Sequence, residues 1–422
     1  MTSGRVPKIT RTLFTLSQRS IWSFLDYWTF NLHRTLNFEN QILYIAMKVV
    51  LFFTYGISLK DWATTGLLQR EITPYTTLMR RQDVSFTFLT YGDEEDRKYA
   101  HQLPGIKIIP VFERLPRPKS KILQFIFTLT IPFVHRVPLK DATIYKTNQI
   151  WGSWLAALSS LLWRKPLLVR CGYEPNKNNM HAEISGFRER LTYFLSLFAY
   201  KRAAHTIGTT PEIVQYITDR FNIDKEKTTV IPNWVDSSLF RPPHQDSQRI
   251  IDRVLFVGRL SKEKNLPLLV KALSNTDTGL TIVGSGPEKE RIKELATEHS
   301  VHIEFLPQIA NDLIPRYYQS YAVYVLCSDF EGNPKTLLEA MSCECAVIGT
   351  DSPGIRSVID HNHTGLVVPS SPSNVFGAIR HLLSNPTERQ RLGLAARAFI
   401  VEANSLNKAL KAEWSIYRRM AR

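Results

Sequence analysis

Two glutamates form the strongest candidate for a ligand-binding motif. Glu331 and Glu339 enclose a segment in which Asn333 is a good helix N-cap and Pro334 suits the first helical turn. The helix would leave Glu331 on the preceding loop and carry Glu339 about one and a half turns inside. The two carboxylates could then accept hydrogen bonds from different parts of one extended ligand. Gly332 would allow close backbone approach, and a helix N-terminus suits a diphosphate.

Two cations stand on another loop. Arg259 and Lys264 come after the predicted strand Val254–Val257 and Gly258. Cations on a strand-to-helix loop can neutralise a pyrophosphate and the charge of a leaving group without a metal ion. Basic residues on loops are usually solvated, so this element alone is a weak signal.

Two glycine-containing turns follow predicted strands. Gly284 and Gly286 lie in a Gly-Ser-Gly turn, which lacks the complete GxGxxG pattern of dinucleotide-binding proteins. Gly56 and Ser58 follow the first predicted strand of the chain. Such turns allow the backbone to approach a phosphate or another polar ligand closely.

In this order, the motifs resemble those of the retaining family 4 glycosyltransferases (glycosyl transferases group 1), which have the GT-B fold. The resemblance runs from about Met47 to the C-terminus and is strongest from Val230 to Pro369. The segments 230–236, 240–242, 350–355 and 363–369 also match the family's signatures.

This resemblance implies roles for the residues above. Glu339 would hold the ribose hydroxyls of a nucleotide diphosphate sugar, and Glu331 the hydroxyls of its sugar. Arg259 and Lys264 would hold the diphosphate and stabilise the leaving group, so these two and Glu331 are the candidate catalytic residues. The remaining donor-binding candidates are Gly258, Gly284, Gly286, Gly332, Asn333, Pro334, Gly56 and Ser58.

The N-terminal half departs from the family pattern at one strand end. Many relatives carry a histidine after the strand corresponding to Leu167–Arg170, whereas this chain reads Arg-Cys-Gly-Tyr-Glu over residues 170–174. Arg170 or Glu174 is a candidate replacement, and a surface or core role is an equal alternative. A second polar segment, Tyr145–Gln149, also ends a predicted strand and is a candidate ligand contact.

Short apolar runs alternate with amphipathic ones in two series. This alternation predicts α/β domains with parallel sheets, and hence two Rossmann-like doubly wound domains facing a central cleft. The predicted boundaries are an extension (1–46), an acceptor-binding domain (47–235), a linker (236–252), a nucleotide-sugar-binding domain (253–400) and a C-terminal helix (401–422). Within the first domain, a single helix is predicted over Trp62–Arg80.

The residues before Met47 are unlike the rest. They mix arginines with aromatics, which suits an interfacial helix. An alternative is that translation starts at Met47, because a buried-strand pattern follows it at once. No apolar run reaches the roughly 18 to 20 residues that cross a bilayer. The longest, Ile122–Val134, is expected to form a buried or surface-lying helix.

The composition indicates a globular protein with an uneven charge. The chain has 422 residues and a formal net charge of +15. Residues 1–240 hold 31 Lys and Arg against 19 Asp and Glu, while residues 241–422 hold 22 against 19. An anionic partner of the N-terminal half, such as nucleic acid, an acidic membrane or a lipid-linked phosphate, is one explanation. A generally basic surface is another. The four cysteines fit neither a disulfide framework nor a zinc site.

We therefore expect a retaining, metal-independent hexosyltransferase with no cofactor, a UDP- or GDP-sugar as donor, and an acceptor glycan or glycolipid. The acceptor is expected to be a lipid-linked precursor of cell-surface polysaccharide. The enzyme is expected in the cytoplasm, at the inner face of the membrane. An anionic membrane surface is a candidate partner, and nucleic acid is not an expected one. The alternatives are a sugar-nucleotide epimerase or related two-domain enzyme, and a non-catalytic basic binding protein.

Overall fold

The computed structural model describes residues 46–174, 186–244 and 247–422. The predictions for residues 1–45 lie outside these ranges and stay predictions. Buried apolar side chains of residues 47–422 form two clusters, each built around one parallel sheet. The predicted α/β class with two parallel-sheet domains is confirmed.

The first sheet has seven strands in the order β3-β2-β1-β4-β5-β6-β7. Its strands are β1 (Met47–Phe52), β2 (Val84–Thr90), β3 (Lys107–Pro110), β4 (Ile144–Thr147), β5 (Leu167–Cys171), β6 (His205–Gly208) and β7 (Thr228–Val230). All described pairings are parallel, and β1 lies between β2 and β4. The strand order therefore reverses at β1, which is where α/β proteins form their ligand-binding crevice.

Helices cover both faces of the first sheet. They are α1 (Leu59–Thr64), α2 (Leu68–Arg81), α3 (Lys121–Thr128), α4 (Ile131–Val134), α5 (Arg136–Asp141), α6 (Ser153–Trp163), α7 (Phe187–Arg202) and α8 (Pro211–Phe221). Three 3₁₀ segments, Glu94–Gln102, Val111–Glu113 and Lys225–Lys227, join them. Because parallel crossovers are right-handed, the strand order places α1 and α2 on one face and α3 to α8 on the other.

The second sheet has six strands in the order β10-β9-β8-β11-β12-β13. They are β8 (Arg253–Val257), β9 (Gly279–Val283), β10 (Ile303–Leu306), β11 (Val323–Leu326), β12 (Ala346–Thr350) and β13 (Leu366–Val368). The helices are α9 (Leu266–Ala272), α10 (Lys289–Glu298), α11 (Pro315–Ser320), α12 (Lys335–Ser342), α13 (Pro353–Arg356), α14 (Pro372–Ser384), α15 (Pro386–Ala403) and α16 (Leu406–Met420), with a 3₁₀ turn at Lys262–Lys264.

One predicted helix is two. The prediction of a single helix over Trp62–Arg80 is wrong, because α1 ends at Thr64 and α2 begins at Leu68. Gly66 lies between them with a φ of +61°, a left-handed conformation that suits glycine. The break exposes backbone at the cleft, where the Gln308 side chain of the second domain donates a hydrogen bond to the carbonyl of Thr65.

The predicted run Ile122–Val134 also forms two helices, α3 and α4, which lie at the surface. No helix among the described residues is both long and apolar enough to cross a membrane. The four cysteines are free and buried.

The terminal helix returns to the first domain. Val235, just before the linker, is bonded to the α15–α16 junction, since Val235 N donates to Asn404 O at 2.9 Å and Leu406 N donates to Val235 O at 2.9 Å. Leu410, Ile416 and Tyr417 of α16 then join the apolar cluster of the first domain. Residues from the end of the chain therefore complete the first core.

A buried ion pair fixes this helix. Lys146 Nζ lies 2.5 Å from Glu413 Oε1, and their side chains are only 3% and 10% exposed. Burial opposes ionisation of Glu413, but Lys146 and Arg170 outweigh it and lower the pKa of this carboxyl. Tyr417 donates a second hydrogen bond to Glu413. The candidate ligand contact at Lys146 is therefore corrected: this residue anchors the C-terminal helix.

We predict that Glu413→Gln lowers the free energy of unfolding by about 3–5 kcal/mol, because it leaves the buried Lys146 ammonium without its counter-ion. Adding Lys146→Met should recover most of this loss, since the new amide at position 413 can still accept from Tyr417. Urea denaturation measures both changes. The control is Glu290→Gln, which breaks an exposed ion pair with Lys293 and should cost under about 1 kcal/mol. Equal losses at Glu413 and Glu290 would contradict the anchoring role.

Candidate active site

A cavity of about 580 Å³ opens between the two domains. This volume suits a ligand of nucleotide size. Residues of both domains line it: Thr65, Gly66, Leu67 and Arg70 from the first, and Val257, Gly258, Arg259, Val283, Gly284, Ser285, Gly286, Pro287, Gln308, Ile309, Asn311, Ile314, Thr336 and Glu339 from the second. Of the residues predicted from sequence, the structure thus brings Gly258, Arg259, Gly284, Gly286 and Glu339 together.

Two glycines form the floor of this cavity by letting two loops touch. A Cβ on Gly284 would lie 2.0 Å from the carbonyl oxygen of Gly258, and one on Gly286 would lie 2.2 Å from that of Leu260. Gly284 also has a φ of +144°. Leu260 N donates to Ser285 O at 2.9 Å, which joins the loops directly. Any side chain at these positions would push the loops apart and deform the cavity.

Glu339 lies on α12 at the side of the cavity and is buried. Burial raises its pKa, and the nearby Arg70 and the Tyr318 hydroxyl only partly offset this effect. Tyr318 Oη donates to one carboxylate oxygen at 2.9 Å. A buried carboxylate with so few partners is costly, and hydroxyl donors of a ligand would reduce that cost.

Glu331 lies on the loop before α12 and pairs with the predicted cation Lys264. Lys264 Nζ is 2.5 Å from Glu331 Oε1, and the side chains are 19% and 10% exposed. Ser328 Oγ donates to the same oxygen at 2.7 Å. The loop of Lys264 and the loop of Glu331 are also joined by a backbone bond from Asp329 N to Glu263 O. Two of the three candidate catalytic residues, Lys264 and Glu331, therefore form one ion pair.

Arg259 differs from Lys264. Its side chain is exposed, lines the cavity and makes no ion pair with any residue that the structure describes. A guanidinium in this position can bind an oxyanion bidentately. Arg70 lies on the first domain's side of the cavity, and 23% of its side chain is exposed. Its positive charge lowers the pKa of Glu339 and so partly offsets the effect of burial.

The segment between Glu331 and Glu339 also joins the domains. Asn233 N donates to Asn333 Oδ1 at 2.9 Å, and Asn233 Nδ2 donates to Asn333 O at 2.7 Å. The predicted cap is corrected, because Pro334 is the N-cap residue and the helix begins at Lys335. A Cβ on Gly332 would lie 3.0 Å from Gly172 O of the first domain. Asn333 and Gly332 therefore face the other domain.

Lys335 adds an ion pair across the same junction. Its Nζ lies 3.4 Å from Glu71 Oε1 and 5.0 Å from the centre of the Trp234 ring. Burial lowers the pKa of Lys335 to about 8 despite the attraction of Glu71. Burial opposes ionisation of Glu71, but Lys335 and Arg70 together lower the pKa of Glu71 to about 2. At neutral pH both partners are therefore charged.

Gly56 and Ser58 were predicted to bind the donor, but the structure places them away from the cavity. They do not line this cavity, and Ser58 instead caps α1 in a capping box with Asp61. The loop that reaches the cavity from the first domain is the break between α1 and α2. Its single sequence signal is Gly66, and Arg70 gave no signal because it lies within an ordinary amphipathic helix.

The two candidate replacements for the histidine have structural partners. Arg170 donates to Asn233 Oδ1 at 3.2 Å, which supports the domain junction. Glu174 is buried and accepts a hydrogen bond from the Tyr200 hydroxyl. Within the described ranges, no three His, Cys, Asp or Glu residues are grouped as metal ligands.

Two family models match the chain. The model described as Glycosyltransferase Family 4 matches residues 76–239, and that of Glycosyl transferases group 1 matches residues 245–399. Together they cover more than half of the chain, with one model on each domain.

Curated proteins of similar sequence are also glycosyltransferases. The chain is 26% identical over 211 residues to an N-acetylgalactosaminyltransferase of Campylobacter jejuni named for an acceptor on diphospho-undecaprenol, which covers 49% of this chain and 58% of that protein. It is 24% identical over 321 residues to a GDP-mannose-dependent phosphatidylinositol monomannoside mannosyltransferase of Mycolicibacterium smegmatis, covering 69% and 82%. The chain spans about half to two thirds of the length of the first curated relatives.

Solved structures support the fold. The Anabaena protein HepE, in complex with UDP and glucose, superposes with a TM-score of 0.69 at 16% identity, covering 88% of this chain and all of that one. Sucrose-phosphate synthase of Thermosynechococcus elongatus gives 0.71 at 19% identity, covering 89% and 99%. The predicted GT-B fold is therefore confirmed.

We predict that Glu339→Gln stabilises the unliganded protein at pH 7, because the amide keeps the Tyr318 hydrogen bond and removes a buried charge. The folded-state pKa of Glu339 is raised. Its carboxyl therefore favours folding when protonated, and this advantage is lost as pH rises through that pKa. The melting temperature should rise by about 2–4 °C at pH 7, and the gain should shrink toward pH 4.5. A variant that melts lower than wild type at pH 7 would contradict this account.

Proposed function

Because the chain belongs to the family 4 glycosyltransferases of group 1, we propose that it transfers a hexosyl unit from a nucleotide diphosphate sugar to an acceptor hydroxyl. One observation supports this above the others. A cavity of nucleotide size is lined both by Glu339, a buried carboxylate, and by Arg259, a guanidinium that forms no ion pair with any described residue. These groups complement the hydroxyls and the phosphates of such a donor.

The donor would lie along the second domain. Its ribose hydroxyls would bond to Glu339, its diphosphate would lie against the loops of Gly258 and Gly284, and its sugar would extend toward Glu331. UDP- and GDP-sugars are the proposed donors. One solved relative holds UDP and glucose, and one curated relative is named for GDP-mannose.

The reaction would proceed with retention of the anomeric configuration. A bond forms between the acceptor oxygen and the anomeric carbon, while the bond from that carbon to the diphosphate oxygen breaks on the same face. The acceptor proton passes to the leaving diphosphate. Arg259 and Lys264 would stabilise the charge that develops there, so the chemistry needs no metal ion.

Lys264 would change partner during this cycle. In the unliganded protein it neutralises Glu331 at 2.5 Å. A bound diphosphate offers Lys264 a stronger anion, and the sugar hydroxyls offer Glu331 new donors. Preforming this pair keeps both side chains in place before the donor arrives, which reduces the ordering cost of binding.

The proposed acceptor is a lipid-linked precursor of cell-surface polysaccharide, met at the cytoplasmic face of a membrane. Both curated relatives described above are named for lipid-borne acceptors. The excess of cations in the N-terminal half is also suited to a phosphate-bearing substrate.

The test is consumption of sugar nucleotides by the full chain, with UDP-, GDP-, ADP- and dTDP-sugars supplied in turn together with lipid extracts as acceptor. We predict selective consumption of a UDP- or GDP-sugar that persists in EDTA. Arg259→Ala should lower turnover by about 100-fold, the usual effect of removing one oxyanion-stabilising donor, with an unchanged melting temperature because this residue is exposed.

The control for this variant is Arg291→Ala, which removes the same charge from an exposed position of α10 and should leave turnover unchanged. Equal rates for Arg259→Ala and wild type would overturn the role of Arg259. Conversion of the sugar nucleotide to an isomer without an acceptor would replace the transferase by an epimerase.

A further inference from the structure

Six large apolar side chains are exposed on one face of the first domain. They belong to α3, α4 and α5 and the turns between them: Ile122, Leu123, Ile126, Leu129, Phe133 and Val137. Ile122 is 73% exposed, Phe133 57% and Val137 72%. We call these six residues the apolar face. Exposed apolar clusters of this kind mark surfaces for a membrane or for another protein.

The segment that carries the apolar face is rich in cations. The segment 114–140 contains six Lys and Arg residues and neither Asp nor Glu. Arg114, Arg117, Lys119, Arg136 and Lys140 are exposed, and none of these five forms an ion pair with a described residue. Lys140 Nζ lies 4.5 Å from the centre of the Trp163 ring, a cation–π contact that places this charge beside an aromatic side chain.

We propose that the apolar face and its cations form a docking surface for the anionic headgroup layer of a phospholipid bilayer. Short helices with apolar side chains outward can insert these side chains at the headgroup boundary, while cations of one sign match a uniformly negative surface. A bilayer offers anionic headgroups directly above hydrocarbon, so it matches the cations and the apolar side chains at once, whereas a protein partner would need an acidic patch around an apolar one in the same arrangement.

The neighbouring helices extend this surface. α6 and α7 lie on the same side of the sheet as α3 to α5, because all of them belong to crossovers in one direction. Phe133 contacts Trp163 at the end of α6, with ring centres 6.5 Å apart. Leu161, Leu191 and Phe194 on these two helices are also exposed.

The apolar face is linked to the cleft through packed aromatics. Phe125 of α3 lies 5.8 Å from Trp154, and Trp154 lies 5.3 Å from Tyr55, measured between ring centres. Tyr55 precedes Gly56 at the carboxyl end of β1, beside the crevice. A bilayer on this face would therefore lie close to the part of the first domain that borders the crevice. This consequence rests on the proposed function, whereas the docking itself does not.

The test is co-sedimentation of the full chain with vesicles of phosphatidylcholine alone or mixed with phosphatidylglycerol. We expect binding to the mixed vesicles, weakened by salt, and about tenfold less binding to phosphatidylcholine alone. The variant Ile122→Ser/Ile126→Ser/Phe133→Ser should lose about tenfold or more in affinity. Arg117→Gln/Lys119→Gln/Arg136→Gln should lose a similar factor and most of the salt dependence.

Matched controls separate this face from general surface properties. Leu313→Ser/Leu394→Ser/Val401→Ser removes three apolar groups that are 45–51% exposed on the second domain, and Lys289→Gln/Arg291→Gln/Lys293→Gln removes three cations from α10. Both should bind vesicles as wild type does. Melting temperature and its shift with sugar nucleotide, measured on every variant, show that the fold and the cavity are retained.

Unchanged vesicle binding by both the triple-serine and the triple-glutamine variant of this surface would overturn the proposed docking, even if sugar nucleotides bind normally. Vesicle binding that depends on these residues, in a protein with no affinity for sugar nucleotides, would leave the surface standing and remove the proposed enzyme. A wild-type dimer that the serine variant converts to a monomer, without vesicle binding by either, would assign the face to a second copy of the chain.

Discussion

Hydrogen bonds of Asn233 hold together three parts of the chain that are far apart in sequence, and the cleft depends on them. Its side chain binds Arg170 at the end of β5 and Asn333 before α12, and its carbonyl accepts from Asn404 before α16. The residue thus lies where the chain leaves the first domain and where it returns. Any change in the angle between the two sheets must stretch or exchange these bonds, so the width of the cavity is set here.

Three buried or half-buried ion pairs also join distant segments around this junction. Lys146 with Glu413, Lys335 with Glu71, and Lys264 with Glu331 each join elements distant in sequence. The first pair fixes the terminal helix, and the second spans the two domains. The third lies in the candidate catalytic site. Isolated buried charges are costly, so each pair favours the one packing in which its members meet.

The fold class could be predicted from the sequence because it depends on local patterns, and similar patterns singled out five residues that the structure places around one cavity. Glu331 and Glu339 bracket one helix, and the glycines at 284 and 286 follow a strand whose apolar run is plain. The helix cap was misplaced by one residue, since Asn333 bonds to Asn233 instead of to its own helix. Tertiary partners override a local preference of this kind, and the partner is 100 residues away.

The first domain was harder to interpret for the same reason. Arg70 lines the cavity from the first turn of α2, just after the break at Gly66, and nothing local in the sequence distinguishes this arginine from its neighbours. Lys146 was predicted as a ligand contact because it lies at a strand end, whereas in the structure it pairs with Glu413 of α16. Residues whose role depends on a distant segment leave no periodic pattern in the sequence.

We propose that the cavity binds a sugar nucleotide and that its sugar is transferred with retention of the anomeric configuration. Water can replace the acceptor slowly, so proton NMR of donor hydrolysis by the full chain tests this claim without knowledge of the acceptor. With an α-linked sugar nucleotide as donor, we predict that the α-anomer of the free sugar appears first and that Arg259→Ala lowers its rate of release about 100-fold. Initial release of the β-anomer would contradict retention. A folded protein that hydrolyses none of the sugar nucleotides and shows no transfer from them would contradict the proposed enzyme itself.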